Sequence, residues 1–333
     1  MSCNMNARYY LQFQKGFRRI YFYICNFSTY FLPNYLYRRQ LRGILASLPQ
    51  NRKREIEERV AYYNRMPECR TSEEWTAIRS FRYPFGKKEK FSMYFFDLYS
   101  NIRFFSPHSR FRYEFGDVTR EPSVPAFVKS RPIGGATSNA VLLKLNRVRH
   151  FHFIRDSRNF REKKDMLVSR NVVRQPHRRK LLEMYYGHPL CDIGQINTDT
   201  AREHPEWVKG YLTLEEQLQY KFICCIEGND VASNLKWVMS SNSVPVMPRP
   251  RYETWFMEGK LVPGYHYIEI KPDYSDLIEK IEYYISHPDE AELIIEHAHE
   301  YIRRFKNKKV ERAISLLVIQ KYLQRSGQIP YCQ

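Results

Sequence analysis

No three-glycine dinucleotide fingerprint and no Walker phosphate loop occur in this 333-residue chain, so neither glycine signature marks a nucleotide site. No pair of its seven cysteines has metal-ligand spacing, and no Asp-x-Asp cluster supplies carboxylates for a cation. The cysteines are odd in number, and Cys224-Cys225 lie inside an apolar run, which favours a reducing compartment and a cytoplasmic location. No cleavable signal peptide is expected: the first apolar run, from Ile20, is broken by Asn26, Ser28 and Thr29 and lacks a small-residue cleavage site. A spanning helix is not expected either, because residues 20–37 carry polar side chains and Pro33. No repeat period is evident.

What the chain does have is positive charge and aromatic surface. Lys and Arg number 54 against 36 Asp and Glu, a net charge of +18 that attracts polyanions: nucleic acid, acidic lipid headgroups or phosphorylated glycans. The 26 Tyr and 21 Phe suit stacking on sugars or bases and contact with a membrane interface alike. Composition thus leaves open a basic, non-enzymatic nucleic-acid-binding protein or a membrane-surface scaffold, although the basic residues are scattered and no nucleic-acid motif is present. An apolar share of 43% supports packed cores, and the length suits two medium domains or one large one.

Residues 1–48 form a basic, aromatic segment in which Arg18 and Arg19 precede the Tyr-rich run and Arg38, Arg39 and Arg42 follow it. It suits peripheral contact with an anionic membrane surface, or packing as a helix on the first domain. Residues 49–66 read as a charged helix, with Arg52, Lys53, Arg59, Glu55, Glu57 and Glu58 on a solvated face. From 89 to 105 the apolar clusters 93–96 and 102–105 predict strands. Gly116-Asp117 ends a strand-like segment and opens a proline-containing loop, so Asp117 is either a turn carboxylate or an active-site base. Ala126-Phe127-Val128 is a short strand, followed by Lys129-Ser130-Arg131 and a small-residue loop at 134–138 that suits either a bulky polar ligand or a plain connection. The polar stretch 156–164 reads as an interdomain linker, which sets domains at 49–164 and 165–310 and a C-terminal helix at 311–333.

The second half opens with a strand at 166–168. Arg170-Asn171 ends it, and Pro176-His177-Arg178 leads into a helix at 180–185; the cations there mark either a phosphate position or a solvent-facing turn. Thr213 with Glu215 and Glu216 caps a short helix. The stretch 220–247 organises this half. Phe222 to Ile226 is an apolar run suited to a strand covered on both faces. Glu227-Gly228-Asn229-Asp230 is a turn with glycine placed for positive φ, 231–240 has helical spacing, and 243–247 is a second short apolar run. That order is either an ordinary buried unit or one whose helix N-terminus holds a diphosphate. Amphipathic helices cover 276–325, with Ile278, Ile281, Ile285 and Leu293, Ile294, Ala298, Ile302 as core stripes.

These pieces, in this order, resemble glycosyltransferase family 90, the group of bacterial lipopolysaccharide-core and capsule-associated transferases and eukaryotic protein O-glucosyltransferases. The resemblance covers roughly residues 113–302. It rests on Arg170-Asn171 with Pro176-His177-Arg178; on Tyr220-Lys221-Phe222 running into Glu227-Gly228-Asn229 and Ala232-Ser233-Asn234-Leu235-Lys236-Trp237; and on His266-Tyr267 with Ser275-Asp276-Leu277. The long form of this region is most similar to the lipopolysaccharide branch.

The resemblance implies an α/β, GT-B-like fold: two Rossmann-like domains facing a cleft, with C-terminal helices. It also implies inverting transfer of a hexose or pentose from a UDP-sugar to a hydroxyl of a lipopolysaccharide core or related glycan. Asp117 occupies the place of the family's general base, and Arg178 that of the arginine on the diphosphate. Arg170, Glu227, Gly228, Asn229, Ala232, Ser233, Asn234 and Lys236 complete the expected nucleotide-sugar site. Glu253 is expected on the ribose, and Lys129, Ser130 and Arg131 on the acceptor side. Two departures stand out: Asn171 replaces the family's usual Gly, and Asn234 a common Arg, leaving Lys236 as the substitute cation. No cofactor, no metal and no nucleic-acid partner are expected. The expected place is the inner face of the inner membrane, held peripherally.

Overall fold

An apolar run without polar alternation has to be covered on both sides, which in an α/β chain means a parallel strand between helices. The computed structural model describes residues 2–86, 90–135 and 137–330, with side chains from residue 16 onward. Expectations touching Glu89, Ala136, Cys332 and the Cys3 side chain therefore lie outside the described residues. The architecture is mixed α/β with parallel sheets. The chain divides into two compact units, one of Met1–Ile20, His150–Pro250 and Lys260–Arg304, the other of Tyr21–Arg149, Arg251–Gly259 and Phe305–Gln333.

The unit containing Tyr21–Arg149 is largely helical. It takes α1 (Ser2–Tyr30) from Tyr21 onward, then α2 (Asn34–Ala46), α3 (Lys53–Tyr63) and α4 (Ser92–Ile102). Three small sheets accompany them. β1 (Thr76–Ala77) pairs antiparallel with β2 (Arg110–Phe111). β3 (Tyr113–Glu114), β4 (Ala126–Val128) and β6 (Ala140–Leu142) run parallel in the order β3-β4-β6. β5 (Ser130–Pro132) pairs antiparallel with β11 (Tyr252–Thr254). After the one-turn α5 (Arg147–His150), the chain returns to this unit with α11 (Lys308–Arg325), whose Tyr322 hydroxyl donates to the Pro125 carbonyl (2.8 Å).

Two expectations fail here. The strand expected at 93–96 is replaced by the helix α4, which buries Tyr94, Phe95, Phe96, Leu98, Tyr99 and Ile102, and that expected at 102–105 by the end of α4 and the turn after it. A helix that is apolar all round carries no periodic signal, so a short aromatic run does not separate it from a buried strand. The charged face of α3 is solvated at Arg54 and Glu58, but Arg59 is buried and ion-paired with Glu311 of α11 (2.6 Å).

The other unit holds a five-stranded sheet, every neighbouring pair parallel, in the order β12-β10-β9-β7-β8. Its strands are β7 (Lys164–Asn171), β8 (Cys191–Gln195), β9 (Tyr220–Cys224), β10 (Val244–Met247) and β12 (Ile268–Glu269). α6 (Pro176–Tyr185) joins β7 to β8, α7 (Leu214–Gln217) precedes β9, and α8 (Leu235–Val238) lies between β9 and β10. α9 (Leu277–Ser286) and α10 (Pro288–Arg303) follow. Phe222, Cys224, Val244 and Val246 pack with Leu181, Leu182, Ile281 and Ile294 in one core. Leu293, expected in that core, is 51% exposed because it sits about 100° around the helix from Ile294. The polar stretch at 156–164, expected as an interdomain linker, lies within this unit. Asp156 accepts from the Asn242 N–H (2.9 Å) and from the buried Lys163 ammonium (2.8 Å), which fixes it to the unit, while Arg158, Arg161, Glu162 and Lys164 stay exposed.

Candidate active site

β7 and β9 lie side by side, yet the chain leaves β7 towards β8 and leaves β9 towards β10, on opposite sides. At such a reversal the two following loops part, and a crevice opens beyond the carboxyl ends of the strands, where α/β sheets take ligands. Side chains from the start of α6 join the two loops. Arg178 donates from Nε to the Glu227 carbonyl (2.9 Å), from Nη2 to that of Ile226 (3.0 Å) and from Nη1 to that of Val172 (2.8 Å). His177 Nε2 lies 2.9 Å from the same Glu227 oxygen, and Gln175 Nε2 donates to Asn229 Oδ1 (2.9 Å). Pro176 opens the helix, where its missing N–H costs nothing.

The helix expected at 231–240 is only the single turn α8. Asn234 does not cap it; its Nδ2 donates back to the Cys224 carbonyl (2.9 Å), and Val231 and Ala232 are buried. One turn aligns few peptide dipoles, so α8 by itself adds little to the holding of an anion there. Gly228 is absent from the positive-φ glycines. The neighbour of this glycine is Arg178: an added Cβ would stand 3.4 Å from Nη2, a close contact.

Among the expected donor-site residues, Arg178, Glu227, Gly228 and Asn229 come together, and Ser233 is half-buried in the bend that follows. Lys236 is fully buried and does not replace a surface cation. Arg170 is committed to Asp192, through an ion pair (2.7 Å) and a bond to its carbonyl (2.8 Å). Burial alone would raise the Asp192 pKa. Hydrogen bonds from Tyr220, Arg170 and Lys209 outweigh it and bring the value down to about 2. Gln175 and His177, which flank Pro176, also lace the loops, a role that the motif by itself does not assign them.

In the unit containing Tyr21–Arg149, Asp117 follows β3. Gly116 takes φ 109°, and a Cβ there would meet the Phe91 ring at 3.5 Å, so this turn requires glycine. β4 and β5 hold the next residues. Lys129, between the two strands, donates from Nζ to Asp117 Oδ1 (2.5 Å), and Ser130 Oγ exchanges hydrogen bonds with the Val118 N–H and carbonyl (3.2 Å each). The Lys129 side chain is 2% exposed and that of Asp117 27%, so the carboxylate is anchored from the inside and reaches solvent. A general base needs that combination of fixed position and access.

Lys129, Ser130 and Arg131, expected to meet an acceptor, are all interior. Arg131 donates from Nε to Glu253 Oε1 (2.8 Å) and also to the carbonyls of Tyr62 and Ala140. Glu253, expected on the ribose, is buried in this same unit, and its other oxygen receives the Tyr62 hydroxyl. Both carboxylate oxygens are thus occupied by protein donors. Nothing local in the sequence marks Tyr62 as that partner.

Comparison with known proteins agrees with the ordered motifs. The profile described as Glycosyl transferase family 90 matches residues 145–325. O-glucosyltransferase LpsA of Dichelobacter nodosus is 44% identical over 274 residues, 82% of this chain and 84% of that protein. Uncharacterized protein 035R of Invertebrate iridescent virus 3 is 28% identical over 100 residues, 29% of this chain but only 9% of that longer protein. The chain is a glycosyltransferase and belongs to glycosyl transferase family 90.

Proposed function

We propose that the enzyme moves a glucosyl group, or another hexosyl or pentosyl group, from a UDP-sugar to a hydroxyl of a lipopolysaccharide core or related glycan, with inversion at the anomeric carbon. The observation that carries this reading is the anchored, solvent-reaching carboxylate of Asp117. The 44% identity to a protein named an O-glucosyltransferase supports the glucosyl donor.

Asp117 accepts the acceptor's hydroxyl proton as that oxygen bonds to the anomeric carbon. The bond from the same carbon to the diphosphate oxygen breaks, and its electron pair leaves with UDP. A positioned base of this kind contributes on the order of 10²–10⁴-fold. Charge developing on the diphosphate calls for a cation, and Arg178, fixed by three carbonyls at the sheet's switch point, is assigned that role. The same proposal includes a GT-B organisation. It also includes metal-independent chemistry and a peripheral position on the cytoplasmic face of a membrane. No helix among the described residues is long and apolar enough to cross a membrane.

The test is UDP release from a panel of UDP-sugars with and without a lipopolysaccharide acceptor, with anomeric configuration of the product read by NMR. Acceptor-dependent release and an inverted product are expected from at least one donor. Asp117→Asn should keep UDP affinity and lose transfer; wild-type turnover in that variant sinks the base assignment.

A further inference from the structure

Helix α1 is apolar on two opposite sides. Phe22, Phe27 and Tyr30 turn inward, with ring centroids 6.4 and 4.8 Å from Phe96 for the two phenylalanines and 5.0 Å from Tyr99 for Tyr30. The opposite side carries Phe17, Ile20, Tyr21, Ile24 and Phe31, and each of these is more than half exposed. Their spacing of three, four and seven residues forms one stripe along the helix. A surface helix ordinarily puts polar residues there, and a contiguous exposed apolar stripe marks an interaction site.

The stripe is held in place rather than loosely attached. Arg103 donates to the carbonyls of Thr29 (2.8 Å) and Leu32 (2.6 Å) and to Asn34 Oδ1 (3.0 Å), which sets the turn from α1 into α2. On α2, Tyr35, Arg38, Arg39 and Arg42 recur at the same helical spacing, so they share one face, and all four are exposed.

Charge identifies the occupant. Every charged residue ahead of Glu55 is Lys or Arg. An anionic bilayer offers acyl chains to the stripe and phosphates to the arginines together. We propose that α1 and α2 dock on a bilayer rich in anionic lipid, lying in the headgroup plane. The Phe17–Phe31 stripe enters the acyl boundary, and Arg38, Arg39 and Arg42 meet lipid phosphates. This assigns residues to the peripheral placement proposed above and rests on that placement, not on the transfer chemistry.

Co-sedimentation of the full chain with vesicles of phosphatidylcholine, alone or mixed with phosphatidylglycerol, tests it. The chain should pellet with the mixed vesicles, far less with phosphatidylcholine alone, and should be released by salt. Arg38→Gln, Arg39→Gln and Arg42→Gln together should weaken binding on the order of 10²-fold, given the known contribution of each cation near an anionic surface. Ile24→Ser with Phe31→Ser should abolish pelleting while circular dichroism stays unchanged, since both side chains are exposed. Equal binding to both vesicle types overturns the proposal. So does a wild-type oligomer in gel filtration that these two serines disperse without affecting vesicle binding, because the face would then belong to a protein contact. UDP release with a lipid-free acceptor fragment, measured on the same variants, reads the catalytic proposal separately.

Discussion

Arg178→Lys keeps a positive charge and removes the guanidinium fork, and so separates two roles for this residue. In the structure, three N–H groups of Arg178 hold the carbonyls of Val172, Ile226 and Glu227 at 2.8 to 3.0 Å. An ammonium on a lysine stem lacks the planar fork that reaches three separate carbonyls and is expected to keep one of these bonds. Bonds from a charged donor contribute roughly 1.5–3 kcal/mol each. These carbonyls lie on loops where water partly substitutes, so the lower figure applies, and losing two bonds costs about 3 kcal/mol. At about 1.4 kcal/mol per tenfold, UDP affinity should fall by up to ~10²-fold when the ordered loops are what the nucleotide binds. Arg178→Ala loses the charge as well and should fall further. Gly228→Ala presses on the same contact from the loop side: its Cβ would stand 3.4 Å from a guanidinium that three carbonyls keep from retreating. A smaller loss, about 1 kcal/mol, is expected there. Titration calorimetry with UDP reads the affinities, and urea unfolding shows whether the fold has been spared. UDP affinity in Arg178→Lys within about twofold of wild type would refute the reasoning, since charge alone would then suffice.

Other outcomes follow from the same geometry. Glu311 receives Arg59 (2.6 Å), Lys144 (2.9 Å) and the Trp255 indole N–H (2.8 Å) in a buried cluster. Glu311→Ala should therefore destabilise this unit by about 3–5 kcal/mol in urea unfolding, and a loss below about 1 kcal/mol would contradict it. Asp192 has its folded-state pKa depressed from 3.8 to about 2, so its stabilisation is present above about pH 4 and is lost as pH falls through 2. Asp192→Asn should flatten that acid limb of the stability curve; an unchanged limb counts against the Tyr220, Arg170 and Lys209 bonds as its cause. Transfer should survive exhaustive treatment with EDTA, and activity that vanishes and returns with added Mg²⁺ would overturn metal independence.

Much of the sheet is legible before any coordinates. Burial on both faces leaves a run of apolar residues, and 222–226 and 243–247 announce β9 and β10 within two residues of where they lie. The cap at Thr213 announces α7, and the 3.6-residue spacing announces helices over 276–302, where α9 and α10 lie. The Gly116 turn ahead of Asp117 is legible as well, because it depends on one residue's φ. These are local matters of periodicity, capping and turn chemistry, which a residue and its nearest neighbours decide.

The misreadings share a different cause. Arg59, Lys129, Arg131 and Glu253 look like surface or ligand-facing charges, because an isolated charge belongs in water. Each is buried against a counter-charge that another element brings: Glu311 for Arg59, Asp117 from the preceding loop for Lys129, and Glu253 and Arg131 for each other. Gly228 reads as a φ requirement, but its φ is not positive, and what stands beside it is Arg178, fifty residues back in the chain. The aromatic run at 93–105 could satisfy either a strand or a helix until its surroundings bury it on every side. Ion-pair partners, spent hydrogen-bond donors and all-round burial arise where remote segments meet, and no pattern within a single stretch of chain carries them.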